Sequence, residues 1–170
     1  MTDIVQLEAR LKELAIECDK ICHPALHTAK DADLLLVSRP GTRLKNLFLR
    51  DNYGKKHFLL ITSPEKNVDL KALSKAMGVS RLGFASNERL VKYLGVKPGC
   101  VSMLALMNDL QNNVTLWVDK DIWQGDLFHC HPFDNTQTWL MQKNDLLRFF
   151  DCTKHALNLV DLSTFEISNG

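Results

Sequence analysis

The chain has 170 residues, with 21 Lys and Arg against 20 Asp and Glu, a formal net charge of +1, and 45% hydrophobic residues. That balance is ordinary for a globular domain, and a chain of this length buries on the order of two thirds of its apolar surface. It excludes wholesale disorder and a general nucleic-acid coat, which needs a large cationic excess; an RNA contact would have to be a local patch. No apolar run approaches the ~20 residues that span a bilayer. The opening Met1-Thr2-Asp3-Ile4 is not a secretory signal, which has a basic start followed by an apolar stretch. A cytoplasmic location is therefore expected, with Cys18, Cys22, Cys100, Cys130 and Cys152 as free thiols.

No repeat, low-complexity tract or linker divides the chain, and residues 1–170 are expected to form one domain. Ile4, Leu7, Leu11, Leu14 and Cys18 recur at three- and four-residue steps and predict an opening helix, with Asp3 and Gln6 at its start. Leu34 to Val37 reads as extended. Leu44–Leu49 and His57–Thr62 flank Asp51-Asn52-Tyr53-Gly54 as a β-hairpin. Asp69–Met77 predicts a helix ended by Gly78, and Ser86 caps a second one over Asn87–Leu94 ended by Gly95. Val101–Met107 and Val114–Val118 read as strands, and Phe128–Pro132 and Thr136–Met141 as extended. Asn144 is a candidate cap for a helix over Asp145–Cys152, and Leu157–Leu162 reads as the last strand. Strands follow one another with hairpin-like links, which argues against a purely parallel sheet. The expected class is α/β, with a mixed, mostly antiparallel, barrel-like sheet of about six or seven strands surrounded by helices.

Two segments carry chemistry. Between Arg39 and Lys56 stand six basic residues, Arg39, Arg43, Lys45, Arg50, Lys55 and Lys56, with Asp51 as the one acid. They are either the solvated ends of a hairpin or an anion site. Lys45 sits inside the apolar run Leu44–Leu49, where alternation puts Lys45, Leu47 and Leu49 on one face and Leu44, Asn46 and Phe48 on the other. A lysine there either pairs with a carboxylate or lines a cleft.

The second segment is Phe128-His129-Cys130-His131-Pro132, followed by Asn135-Thr136. Three readings compete: histidines satisfied within a sheet edge, a metal site using His129, His131 and His23 or a cysteine, or a Cys130 nucleophile. His129 and His131 alternate away from Cys130 on a strand and are poor partners for it. There is no nucleophile elbow, phosphate loop or dinucleotide fingerprint.

The run Gly41 to Asp51, with Lys45-Asn46-Leu47-Phe48-Leu49-Arg50-Asp51 at its heart, resembles the signature of the YbaK/ProX prolyl-tRNA editing deacylases. The His23-Pro24 step with Thr28, the loop Leu94 to Ser102, and His131-Pro132 with Asn135-Thr136 resemble further family segments in the same order, over roughly residues 4–162. The resemblance implies a free-standing hydrolase that acts in trans. It would remove a wrong amino acid from tRNA, most simply alanine from tRNA for proline, with prolyl-tRNA synthetase as a transient partner. It implies no cofactor or metal, and neither a membrane nor DNA as partner. Lys45 takes the role of catalytic and tRNA-end-binding residue. Asn46, Cys130 and His131 take pocket roles, and Gly99, Cys100, Val101, Ser102 and Met103 form the loop that positions the aminoacyl group. The family loop commonly ends in proline where this chain has Met103. Competing classes are a deacylase for Ser-, Thr- or Cys-charged tRNA and a non-catalytic module that binds tRNA or the synthetase.

Overall fold

The computed structural model describes residues 3–26, 31 and 38–169. The expected strand at residues 34–37, and Thr28, lie outside them. In chain order the elements are α1 (Ile4–Glu13), β1 (Asp19–Cys22), β2 (Lys45–Arg50), β3 (His57–Thr62), α2 (Leu70–Met77), β4 (Gly83–Phe84) and α3 (Asn87–Leu94). A 3-10 helix (Met103–Asn108), β5 (Val114–Asp119), a 3-10 turn (Ile122–Gln124), β6 (Leu127–Cys130), β7 (Gln137–Gln142), α4 (Lys143–Thr153), β8 (Asn158–Val160) and β9 (Ile167–Asn169) follow.

Local chemistry accounts for most of these boundaries. Asp3 and Gln6 close a capping box on α1, whose Leu7 and Leu11 are buried. Asp69 caps α2 and Ser86 caps α3, and the two helices end at Gly78 and Gly95, both in the left-handed conformation that glycine adopts without strain. The expected Asn144 cap is not realised. The last helix begins two residues earlier than expected, at Lys143, and Gln142 in front of it makes no side-chain cap.

Every residue of β3 is buried. It pairs antiparallel with β2, from Lys45 opposite Thr62 to Arg50 opposite His57, and parallel with β5. The larger sheet runs β4-β2-β3-β5-β8-β9 and the smaller β1-β7-β6. The expected mixed, mostly antiparallel arrangement is thus divided into two sheets. A parallel bridge between Thr42, just before β2, and Phe128 in β6 joins them. The strands β1, β4 and β9 are too short for periodicity to have revealed them.

The predicted alternation in β2 separates two cores. Leu44 and Phe48 face the main one, with Leu59, Ile61, Leu116, Phe128 and Trp139, while Leu47 and Leu49 face a second one with Phe58, Leu60 and Leu73.

The strand expected over Val101–Met107 is instead an extended lead-in followed by the 3-10 helix. Met103 to Met107 are all buried, and an apolar run buried on every side carries no period that separates strand from helix. Ser102 decides it: its hydroxyl accepts from the Leu104 amide, 3.2 Å away, and opens a helical turn.

Asp109 closes that helix against two other elements. Its buried carboxylate accepts from the amides of Asn113 (2.9 Å) and Val114 (2.8 Å) and from Nε2 of buried His155 (2.9 Å). Burial alone would raise its pKa. The His155 and backbone donors outweigh that and hold it below the ordinary carboxylate range. Asp109→Ala strands these donors and should cost about 3 kcal/mol, read as a lower urea midpoint at unchanged slope.

Candidate functional site

Lys45 opens β2, and its ammonium donates to the backbone carbonyl of Lys66. Among the described residues it forms no ion pair with a carboxylate. Its charge is therefore held in place without being neutralised. The acceptor lies on a strap, residues 63–67, anchored from beneath. Lys66 Nζ reaches Asp119 at 2.8 Å and Asp121 at 2.6 Å. Asp119, 0% exposed, also accepts from the Thr62 hydroxyl (2.7 Å) and the Asp121 amide (3.0 Å). Burial pulls the Lys66 pKa down, and the hydrogen bonds to the two aspartates overcome this and raise it. Pattern reading had no access to this anchor, because Lys66 and Asp119 are distant in the chain and nothing in the residues around either one signals the other.

The neighbouring Glu65 carboxyl is held below its usual range, first by the Ser63 hydroxyl and then by other groups including Arg43 and Lys45. Arg43 forms a 3.3 Å ion pair with Glu65. This part of the basic window is thus partly neutralised.

Asn46 lies on the opposite face of β2, shared with Leu44 and Phe48, toward the main core that contains Cys100, Met103 and Cys130. In the loop, Gly99 is exposed, Cys100 is buried and Val101 is half-buried. Burial pushes the Cys100 thiol up, against a backbone hydrogen bond from Asn135. That contact sets the Gly99–Met103 loop against the turn after His131. The N-terminal His-Pro segment joins the same turn. The Leu26 amide donates to the Asn135 carbonyl (3.0 Å), the His23 amide donates to Thr136 (2.9 Å), and His23 Nε2 meets the Thr138 hydroxyl at 2.8 Å. Three of the four segments singled out in the sequence thus converge. Lys45 and its strap stand on the other face of β2.

His131 follows β6, with Nδ1 3.3 Å from the Gln137 carbonyl. A carbonyl only accepts, so Nδ1 carries the proton, and the neutral ring presents Nε2 as an acceptor. Burial is the main reason its pKa is lowered. His129 is lowered first by burial as well; its Nε2 donates to the Pro40 carbonyl at 2.8 Å and its Nδ1 is buried without a partner. Gly41 makes this contact possible: a Cβ there would meet the His129 ring at 3.0 Å.

Among the described residues no three His, Cys, Asp or Glu side chains converge as metal ligands. Cys130 is 3% exposed, and burial drives its thiol far above the ordinary range, so it stays protonated and is no nucleophile.

The family model of the aminoacyl-tRNA editing domain matches residues 23–149. The chain belongs to that family. It is 31% identical over 154 residues to the prolyl-tRNA editing protein ProX of Acetoanaerobium sticklandii, spanning 91% of this chain and 94% of that one. It is 35% identical over 153 residues to prolyl-tRNA synthetase associated domain-containing protein 1 of Danio rerio, spanning 89% and 83%. A solved structure described as a candidate trans-editing enzyme for prolyl tRNA synthetase superposes with a TM-score of 0.69 at 17% identity, over 95% of this chain and 98% of that one; this likeness shows the fold.

Membership of the editing-domain family makes Met103 informative. It is the first residue of the 3-10 helix, where a missing amide hydrogen costs little. Ser102 before it is extended, at φ −154° and ψ 155°, the conformation a following proline requires. The backbone at Ser102 is thus compatible with a following proline, and in this chain Ser102 caps the helix while Met103 fills the core. Met103→Pro should therefore fold, losing about 2 kcal/mol of burial, as measured by urea unfolding.

His57, like His129 and His131, has its pKa lowered first by burial. Below the unfolded-state value of about 6.5 the unfolded chain binds more protons than the folded one. The stabilisation from these rings is complete above that pH and is lost as pH falls through their folded values. Unfolding midpoints should drop on acidification from pH 7 to 5, and NMR titrations should place the three rings below a free histidine.

Proposed function

We propose that this chain hydrolyses the ester between a wrong amino acid and tRNA, acting in trans on tRNA for proline charged with alanine. The observation that carries the reading is the Lys45 ammonium, fixed by a backbone carbonyl and in no ion pair among the described residues, at the head of the Lys45–Asp51 motif of an aminoacyl-tRNA editing domain. The names of the ProX and zebrafish relatives support proline as the tRNA identity and a transient association with prolyl-tRNA synthetase.

Ester hydrolysis needs a placed water and a stabilised oxyanion. Lys45, the first residue of β2, binds the terminal phosphate or ribose from its own face of the strand. Backbone amides of Gly99–Met103 receive the carbonyl oxygen as charge builds on it and orient the water. The free ribose hydroxyl assists proton transfer, and Nε2 of neutral His131 serves as an acceptor at the pocket wall. Asn46 completes the wall and Cys130 bounds it from the core side, limiting its depth. A pocket separates side chains by about 1–3 kcal/mol per methylene, so excluding proline by size while admitting alanine suits it.

Lys45→Ala should lower deacylation of Ala-tRNA for proline by about 10²-fold or more with an unchanged circular dichroism spectrum; near-normal turnover would overturn the assignment. Pro-tRNA serves as the control, within a panel that includes Ser-, Thr- and Cys-charged tRNAs. Faster turnover of one of these relocates the specificity, and hydrolysis of none leaves a binding module.

A further inference from the structure

The two sheets meet where the two halves of the candidate site begin. Among the described residues they are joined by the parallel bridge between Thr42 and Phe128. The Thr42 amide donates to the Leu127 carbonyl (2.8 Å), and the His129 amide donates to the Thr42 carbonyl (3.0 Å). Three residues beyond Thr42 stands Lys45, the first residue of β2 in the larger sheet. Two residues beyond His129 stands His131, just past the end of β6 in the smaller sheet. Whatever fixes this joint therefore fixes Lys45 relative to His131.

The His129 ring closes the joint. Its Nε2 donates to the Pro40 carbonyl at 2.8 Å, so the ring ties β6 to the segment that leads into β2. Gly41 has φ +105°, which a side chain would strain. A Cβ there would lie 3.0 Å from Cδ2 of the ring, 3.1 Å from its Nε2 and 3.2 Å from the Leu127 carbonyl oxygen, so the chain and the ring are in close contact. The other ring nitrogen is the informative one. Nδ1 is buried without a partner in a residue that is 5% exposed. A buried polar atom left unpaired costs free energy that an apolar side chain of similar size would not. Packing alone therefore does not account for a histidine at this position. The bond to Pro40 does, and Pro40 is exposed, so water can satisfy the same carbonyl. The bond thus adds little to stability and acts chiefly by holding two segments in one arrangement.

We infer that His129 is a positioning residue for the deacylation: through Pro40 and Gly41 it locks the entry to β2 against β6, and so sets Lys45 relative to His131 and the Gly99–Met103 loop. It acts through these segments and not on the substrate. The inference rests on the proposed function for the groups that are positioned. A substrate held by Lys45 from one sheet and by the pocket from the other reaches its transition state only when both hold it together, and a misplacement of about 1 Å costs about 10²-fold.

His129→Leu removes the Pro40 bond and the unpaired nitrogen together and keeps the site apolar, so its urea midpoint should stay close to that of the wild type. Its kcat on Ala-tRNA for proline should fall by about tenfold or more with KM little changed, because each half still binds while their alignment is lost. His129→Gln, whose amide can reach the Pro40 carbonyl, should restore most of the rate. Gly41→Ala should lower kcat by itself and add little to His129→Leu, since both open the same joint. Hydrogen exchange at the Thr42 amide should be faster in His129→Leu, with β3 amides unchanged. A kcat loss that follows a lowered midpoint, that Gln does not rescue, or that adds fully to Gly41→Ala would make His129 a structural residue and overturn the inference. So would wild-type kcat in His129→Leu, or unchanged exchange at Thr42. The exchange measurement needs no hydrolysis. Should the wild type hydrolyse no charged tRNA, the deacylase assignment falls; faster exchange at Thr42 then leaves the lock standing, and unchanged exchange removes both.

Discussion

The structure depends on β3. Six consecutive buried residues, His57 to Thr62, can satisfy their backbone only if a strand lies on each side, and β2 and β5 supply them. That requirement holds β2 in a register where alternate residues enter two different cores. A slip of one residue would exchange Lys45 with Asn46 and send the charged side chain toward the main core. The position of the candidate catalytic lysine is therefore a consequence of sheet pairing, enforced by apolar burial at Leu47, Phe48 and Leu49.

Buried carboxylates are the second organising element. Asp109 closes the 3-10 helix and Asp119 ends β5, where loop amides are free to donate, and each also takes up a side chain from a remote segment: His155 in one case, Lys66 in the other. Burying a charge is costly unless it is paired and hydrogen-bonded, and both aspartates meet that condition with three or more donors. Asp119 has a further consequence. By anchoring Lys66 it fixes the strap whose carbonyl holds Lys45, so the lysine is oriented by a backbone acceptor and not by an ion pair among the described residues.

The two ends of β2 differ in their surroundings. At one end a held cation stands near the strap; at the other, Lys55, Lys56 and Arg81 are exposed, as are the aromatic side chains of Tyr53 and Phe84. Both belong to the window from Arg39 to Lys56, which composition marked as basic without separating its members. Arg43 is paired with Glu65, Lys45 is held by a carbonyl, and Lys55 and Lys56 are exposed. Their roles differ because their surroundings do.

Local pattern sufficed wherever the cause was local. The capping box of α1, the glycine ends of α2 and α3, the β2–β3 hairpin and the alternation within β2 each depend on residues a few positions apart, and the editing-domain motif is itself a contiguous run. Pattern failed at Val101–Met107, where burial on all sides erased the period, and at Asn144, where the helix had already begun. It also missed β1, β4 and β9, whose pairing depends on partners elsewhere in the chain. The Lys66–Asp119 anchor, the docking of the Gly99–Met103 loop on the Asn135 turn and the hydrogen bond from His129 to Pro40 were decided by tertiary structure alone. Each joins segments that no local periodicity relates, and only the folded sheets bring them within hydrogen-bonding or Coulomb range.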